Sequence, residues 1–278
     1  MNNLATNLKT IANKTPIIKP VKDYLVSKVR DFQYEKIKSD SAKHIYQIYG
    51  VRRSGNHAII EWIIENSPSS GFFCNDVSLN HSPKSARRRK AFYGEKPNIL
   101  MVSYENIKTD FINNITCNDV GEYKNLKNIL ILRDPFNLFA SWYNWEMFFG
   151  EKFRENSTYR ESVVDTWIQN AKLYLELQQI KNPNLLVINY NSWMASADYR
   201  IKLSRQLEIN ETNNLYDKTP VFGQGSSFKN DSDQELTRLN RFLKFKDDPV
   251  FRSIFNNEVW SLSNKIFGEI QNSNVLKP

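Results

Sequence analysis

Between residues 50 and 57 the chain reads Gly-Val-Arg-Arg-Ser-Gly-Asn-His. This stretch follows a β-prone run, Ile45-Tyr-Gln-Ile-Tyr49, and precedes helically spaced apolar residues from Ala58 to Glu65. Strand, glycine turn and helix together form a cradle for phosphate. Glycine lets the backbone come close to an anion, and the helix offers free N–H groups and the positive end of its dipole. Gly50 and Gly55 have the spacing of the two glycines in GxxxxGK[ST]. The lysine and hydroxyl residue that hold a triphosphate and its magnesium are replaced by Asn56 and His57. Positive charge comes earlier instead, at Arg52 and Arg53. The pattern points to a phosphate-bearing ligand handled without a metal.

A second segment, Ile129-Leu-Ile-Leu-Arg-Asp-Pro-Phe-Asn-Leu-Phe-Ala-Ser141, puts Arg133 at the end of a strand. Pro135 suits the first turn of the next helix, which then carries Ser141. An arginine there can give bidentate hydrogen bonds to a phosphate, and the serine hydroxyl adds another donor.

Taken together, the two segments resemble PAPS-dependent sulfotransferases, whose donor is 3′-phosphoadenosine-5′-phosphosulfate. That family has a 5′-phosphosulfate loop written PKSGTT or GVRKGGT and a 3′-phosphate motif written RxPxxxxxS. The resemblance puts Arg53 where the family has its catalytic lysine. It assigns Arg52, Arg53, Ser54, Gly55, Asn56 and His57 to the 5′-phosphosulfate, and Arg133 with Ser141 to the 3′-phosphate. Leu186-Val-Ile-Asn-Tyr190 resembles a later family strand whose tyrosine contacts adenine, which implies that role for Tyr190. Phe222-Gly-Gln-Gly-Ser-Ser-Phe-Lys229 is similar to the glycine-rich loop that closes over the 3′-phosphate, and so implicates Gly225, Ser226 and Ser227. The matching segments run from residue 45 to residue 229.

The implied chemistry is in-line transfer of a sulfuryl group to a hydroxyl or nitrogen of a small acceptor, releasing PAP, the desulfated 3′-phosphorylated product. Arg53 would stabilise charge on the leaving phosphate, with His57 as a second candidate there. The family places a basic His or Glu near the end of an early strand. Glu105 occupies that place, with Asp76 and His81 in reserve. The chain looks closest to bacterial small-molecule sulfotransferases, including those that tailor alkaloid natural products.

These residues need a sheet to hold them. Strand candidates are 45–49, 72–74, 99–104, 128–132 and 184–190, with helices at 58–65, 136–149 and 162–180 between them. Alternation of this kind predicts a single α/β domain over residues 41–278: a parallel central sheet with helices on both faces, as in the P-loop-like sulfotransferase fold. Residues 78–96, with Arg87-Arg-Arg-Lys90, read as a long basic loop. Residues 233–270 read as mostly helical, with a break at Asp247-Asp-Pro249. Residues 1–40 form a basic extension whose stretch Val21–Lys38 predicts an amphipathic helix packed loosely outside the core, with membrane-surface binding as its sharper alternative.

The composition fits this reading. The 278 residues are 40% hydrophobic and 13% aromatic, enough for one sizeable core. Their net charge of +8 favours polyanionic partners. Cys74 and Cys117 form no CxxC pair, and His44, His57 and His81 lack metal-ligand spacing, so neither a disulfide framework nor a metal is expected. With no long apolar run and no secretory segment, the expected location is the cytoplasm. A magnesium-dependent P-loop kinase and a basic nucleic-acid binder are the competing readings. The first lacks the Lys-Ser/Thr pair, and the second lacks zinc-finger or aromatic RNA-binding motifs.

Overall fold

The computed structural model describes residues 19–39, 43–78, 83, 86, 88–94, 96–107, 122–145, 148–180, 182–215, 222, 228 and 240–277. Six strands form one sheet: β1 (His44–Gly50), β2 (Ser69–Asn75), β3 (Arg88–Phe92), β4 (Lys96–Glu105), β5 (Asn125–Leu132) and β6 (Leu185–Asn189). Their spatial order is β3-β2-β4-β1-β5-β6, parallel except for the antiparallel edge strand β3. The helices are α1 (Lys19–Lys38), α2 (Asn56–Asn66), α3 (Pro135–Tyr143), α4 (Phe148–Glu155), α5 (Ser157–Gln179), α6 (Tyr190–Ala195), α7 (Ala197–Gln206), α8 (Pro249–Arg252) and α9 (Asn257–Phe267). The chain is thus one α/β domain with helices on both faces of a mostly parallel sheet.

Alternation along β1 explains the two layers. Ile45 and Tyr49 face a cluster with α1, α3, α5 and α9, while Tyr46 and Ile48 face one with α2, α6 and α7. Covering on both faces is why β5 reads as a nearly continuous apolar run. β1 lies between β4 and β5, and successive connections run to opposite sides of it. Such a reversal opens a crevice beyond the carboxyl ends of the strands. Register brings those ends level, since Gly50 pairs with Glu105 on one side and Ile131 on the other, and Leu132 pairs with Asn189.

Three local expectations change. The basic stretch before residue 96 contains β3, a strand on the sheet's edge. Its alternating side chains serve both layers: Arg89 pairs with Asp31 of α1 at 2.7 Å, and Lys90 with buried Glu61 of α2 at 2.5 Å. The helix predicted over 136–149 breaks after Tyr143, whose carbonyl accepts from Arg154 Nη1 at 2.6 Å. The reversal brings Gly150 against the Trp145 backbone, where a Cβ would lie 1.8 Å from the carbonyl oxygen. The far half of α1 joins the core, because Tyr34 is fully buried edge-on to Phe72 and Ile37 is buried beside it. The described part of 233–270 is mostly helical as expected, with a 3-10 turn (Arg241–Phe245), the short helices α8 and α9, and α8 starting at Pro249 after the expected break.

Candidate phosphate site at the carboxyl edge of the sheet

The turn after β1 is built on two close approaches. At Gly50 a Cβ would sit 2.5 Å from Asn56 Oδ1 and 3.0 Å from the Ile131 carbonyl. Gly55 adopts φ 87°, and a Cβ there would lie 2.1 Å from the Tyr190 ring. Both positions therefore require glycine. Arg53 also takes a left-handed backbone, φ 76°, without being glycine. No side chain caps the start of α2 among the described residues, so its first N–H groups face the turn. Ser54 is fully buried, and neither its Oγ nor Asn56 Oδ1 finds a hydrogen-bond partner among the described residues. Of the two, the Ser54 hydroxyl can donate to an anion bound at the helix N-terminus.

Three arginines from three segments meet here. Arg133, 2% exposed just beyond β5, points back at the turn, with Nη1 3.4 Å from the Arg53 carbonyl. Arg241, on the 3-10 turn, donates to Ser141 Oγ on α3 at 2.8 Å. Burial, then the charge of Arg133, lowers the Arg53 pKa to about 10, even though Glu105 works the other way. Burial, then Arg133 and Arg53, hold Arg241 well below the usual arginine value. Asp134 gives Arg241 some relief, but its oxygens already accept from Asn137 and Asn191. The cluster is a concentration of positive charge that lowers the pKa of two of its members.

Carboxylates gather on the other side of the turn. Arg52 Nε donates to Glu105 Oε2 at 2.7 Å, and its Nη2 to Asp76 Oδ2 at 2.5 Å. The Arg52 backbone is held as well: its N–H donates to Asn106 Oδ1 at 2.8 Å, and its carbonyl accepts from Trp142 Nε1 at 2.9 Å. Burial opposes the Arg52 charge, but Glu105 and Asp76 outweigh it and raise its pKa. The Glu105 side chain is 6% exposed and that of Asp76 is 40% exposed. Burial, then Glu105, raises the Asp76 pKa, with Arg52 opposing. His57 Nε2 lies 2.7 Å from Asn75 Oδ1, which also accepts from Ser103 Oγ at 3.1 Å. This network ties the start of α2 to the ends of β2 and β4.

Aromatic rings frame the cations. The Arg53 guanidinium lies over Trp145 at 5.1 Å, Arg52 over Phe149 at 5.3 Å, and Arg133 over Tyr190 at 4.9 Å. Tyr190 opens α6 rather than ending β6, and its ring packs between Gly55 and Arg133. The break between α3 and α4 is what brings Trp145 and Phe149 over the turn.

The structure thus brings Arg52, Arg53, Ser54, Gly55, Asn56, His57, Asp76, Glu105, Arg133, Ser141 and Tyr190 to one edge of the sheet. His81, Gly225, Ser226 and Ser227 lie outside the described residues. Phe228, next to that serine pair, is buried under the Arg241 guanidinium at 5.3 Å. Sequence reasoning missed Arg241. It stands in no motif, and only its long-range hydrogen bond to Ser141 reveals it. The Arg-Asp-Pro capping turn was legible: Asp134 Oδ1 accepts from the Asn137 N–H at 2.8 Å and Pro135 opens α3. No protein-family model matches the chain, and no curated protein matches it either.

Proposed function

We propose that the chain is a sulfotransferase that uses PAPS and acts on a hydroxyl or nitrogen of a small-molecule acceptor. The observation that carries this reading is the convergence of Arg53, Arg133 and Arg241 on an uncapped helix start with an orphaned Ser54 hydroxyl. A doubly phosphorylated ligand accepts from the three arginines, the helix start and the Ser54 hydroxyl at once. The spelling of the two motifs favours PAPS among such ligands.

On this reading PAPS supplies the sulfuryl group. The N–H groups of Arg53, Gly55, Asn56 and His57, the Ser54 hydroxyl and the Arg53 guanidinium hold the 5′-phosphosulfate and stabilise the charge that builds on the bridging oxygen as its bond to sulfur breaks. Arg133, Ser141 and Arg241 hold the 3′-phosphate, with Arg133 and Tyr190 fixing each other by stacking. The acceptor atom forms the new bond to sulfur and must give up its proton to a base. Of the two carboxylates near the turn, Asp76 is the more exposed, and its Oδ1 has no partner among the described residues. Asp76 takes the proton. Glu105, nearly buried on Arg52, holds the turn in place.

The reading is tested by incubating the chain with sulfur-labelled PAPS and a panel of phenols, alcohols, amines and carbamates. Label must move to an acceptor and PAP must appear in equal amount. Absence of PAP formation with every acceptor counts against the reading.

A further inference from the structure

The two faces of α1 differ in what they meet. Tyr34 and Ile37 enter the core, Asp31 pairs with Arg89, and Gln33 donates to the Tyr93 hydroxyl at 3.0 Å, so the helix is pinned to the edge of the sheet. The opposite face is open. Tyr24, Lys28, Phe32 and Lys36 recur every fourth residue and so form one stripe along the helix. Phe32 is 72% exposed and Tyr24 61%, with Val29 exposed beside them, Lys28 exposed between them and Lys36 exposed one turn beyond Phe32. Tyr93, 75% exposed, extends the patch onto the sheet edge.

We infer that this face binds an anionic lipid surface, with the helix lying along it. Aromatic rings alternating with lysines match the layering of a bilayer surface. The rings enter the apolar boundary, and the ammonium groups reach the phosphates above it on flexible apolar stems. Charge points the same way. Residues 1–22 contain Lys9, Lys14, Lys19 and Lys22 and no acidic residue, and the chain as a whole carries +8. No helix among the described residues is long and apolar enough to cross a membrane, so the mode is contact with the surface rather than insertion across it. A nucleic acid would use the lysines but leave the exposed Phe32 and Val29 against water. A second copy would bring like charges together.

The test is co-sedimentation of the full chain with vesicles of phosphatidylcholine alone and of phosphatidylcholine mixed with phosphatidylserine. Binding to the mixed vesicles alone is expected, and it should weaken as salt is raised. Lys28→Gln should weaken binding about fivefold, the effect of one surface charge. Phe32→Ser should weaken it further, with the thermal midpoint unchanged because the side chain is exposed. Equal binding to both vesicle types, or mixed-vesicle binding that survives both substitutions, overturns the inference. So does a dimer in solution that Phe32→Ser dissociates. None of these outcomes depends on the sulfotransferase reading.

Discussion

Arg241 donates to Ser141 Oγ at 2.8 Å, linking a 3-10 turn near the carboxyl end of the chain to the helix that follows β5. The bond draws a third buried cation toward Arg133 and Arg53, and burial with those two neighbours pushes the Arg241 pKa down. A buried cation under that repulsion serves a ligand better than it serves the fold.

Arg241→Met separates the two effects. PAP affinity should fall by about tenfold to a hundredfold, as expected for loss of a charge-assisted hydrogen bond worth ~1.5–3 kcal/mol. The thermal midpoint of the ligand-free protein should hold or rise, because a destabilised charge has been removed. Calorimetric titration and a melting curve read the two quantities.

The two carboxylates make opposite predictions. Asp76→Asn should lower turnover by about a hundredfold to ten-thousandfold while leaving PAP affinity nearly intact. Glu105→Gln should weaken PAP binding and lower stability by about 1–3 kcal/mol, because it loosens the bond that holds Arg52. The reverse pattern would exchange their roles.

Turnover should also depend on pH through Asp76. Its pKa is raised, first by burial and then by Glu105, so it keeps its proton to higher pH than an ordinary aspartate. The carboxylate is the active form of a base. Activity should therefore fall as pH drops through a value above the usual aspartate range, and remain on the plateau at higher pH. Asp76→Asn should abolish that acid limb.

Gly55→Ala tests the cradle. The new methyl group would meet the Tyr190 ring in a backbone conformation at φ 87° that costs alanine ~1–2 kcal/mol. Lower stability and weaker PAP binding should appear together, and Tyr190→Ala in the same chain should relieve the clash but not the backbone strain.

Much of the frame was legible because chemistry and periodicity coincide there. Gly50 and Gly55 announce the turn, and the apolar run before Arg133 announces a strand covered on both faces. What escaped was tertiary. The run containing Arg89 and Lys90 reads as loop because its charges are neutralised by Asp31 and Glu61, residues distant in sequence. The α3–α4 break follows from the packing of Gly150 on Trp145, which no local pattern encodes. Arg241 enters the site through a contact a hundred residues long in sequence. Tyr190 stands out in the sequence at the end of a strand, but its packing against Gly55 depends on β6 ending one residue early.

Titrating PAP into the chain without magnesium, alongside ATP with magnesium, tests the central claim most directly. PAP should bind tightly, ATP with magnesium should bind at least a hundredfold more weakly, and Arg133→Ala should remove most of the PAP affinity. Tighter binding of ATP with magnesium than of PAP, or PAP affinity unchanged in Arg133→Ala, would contradict the account.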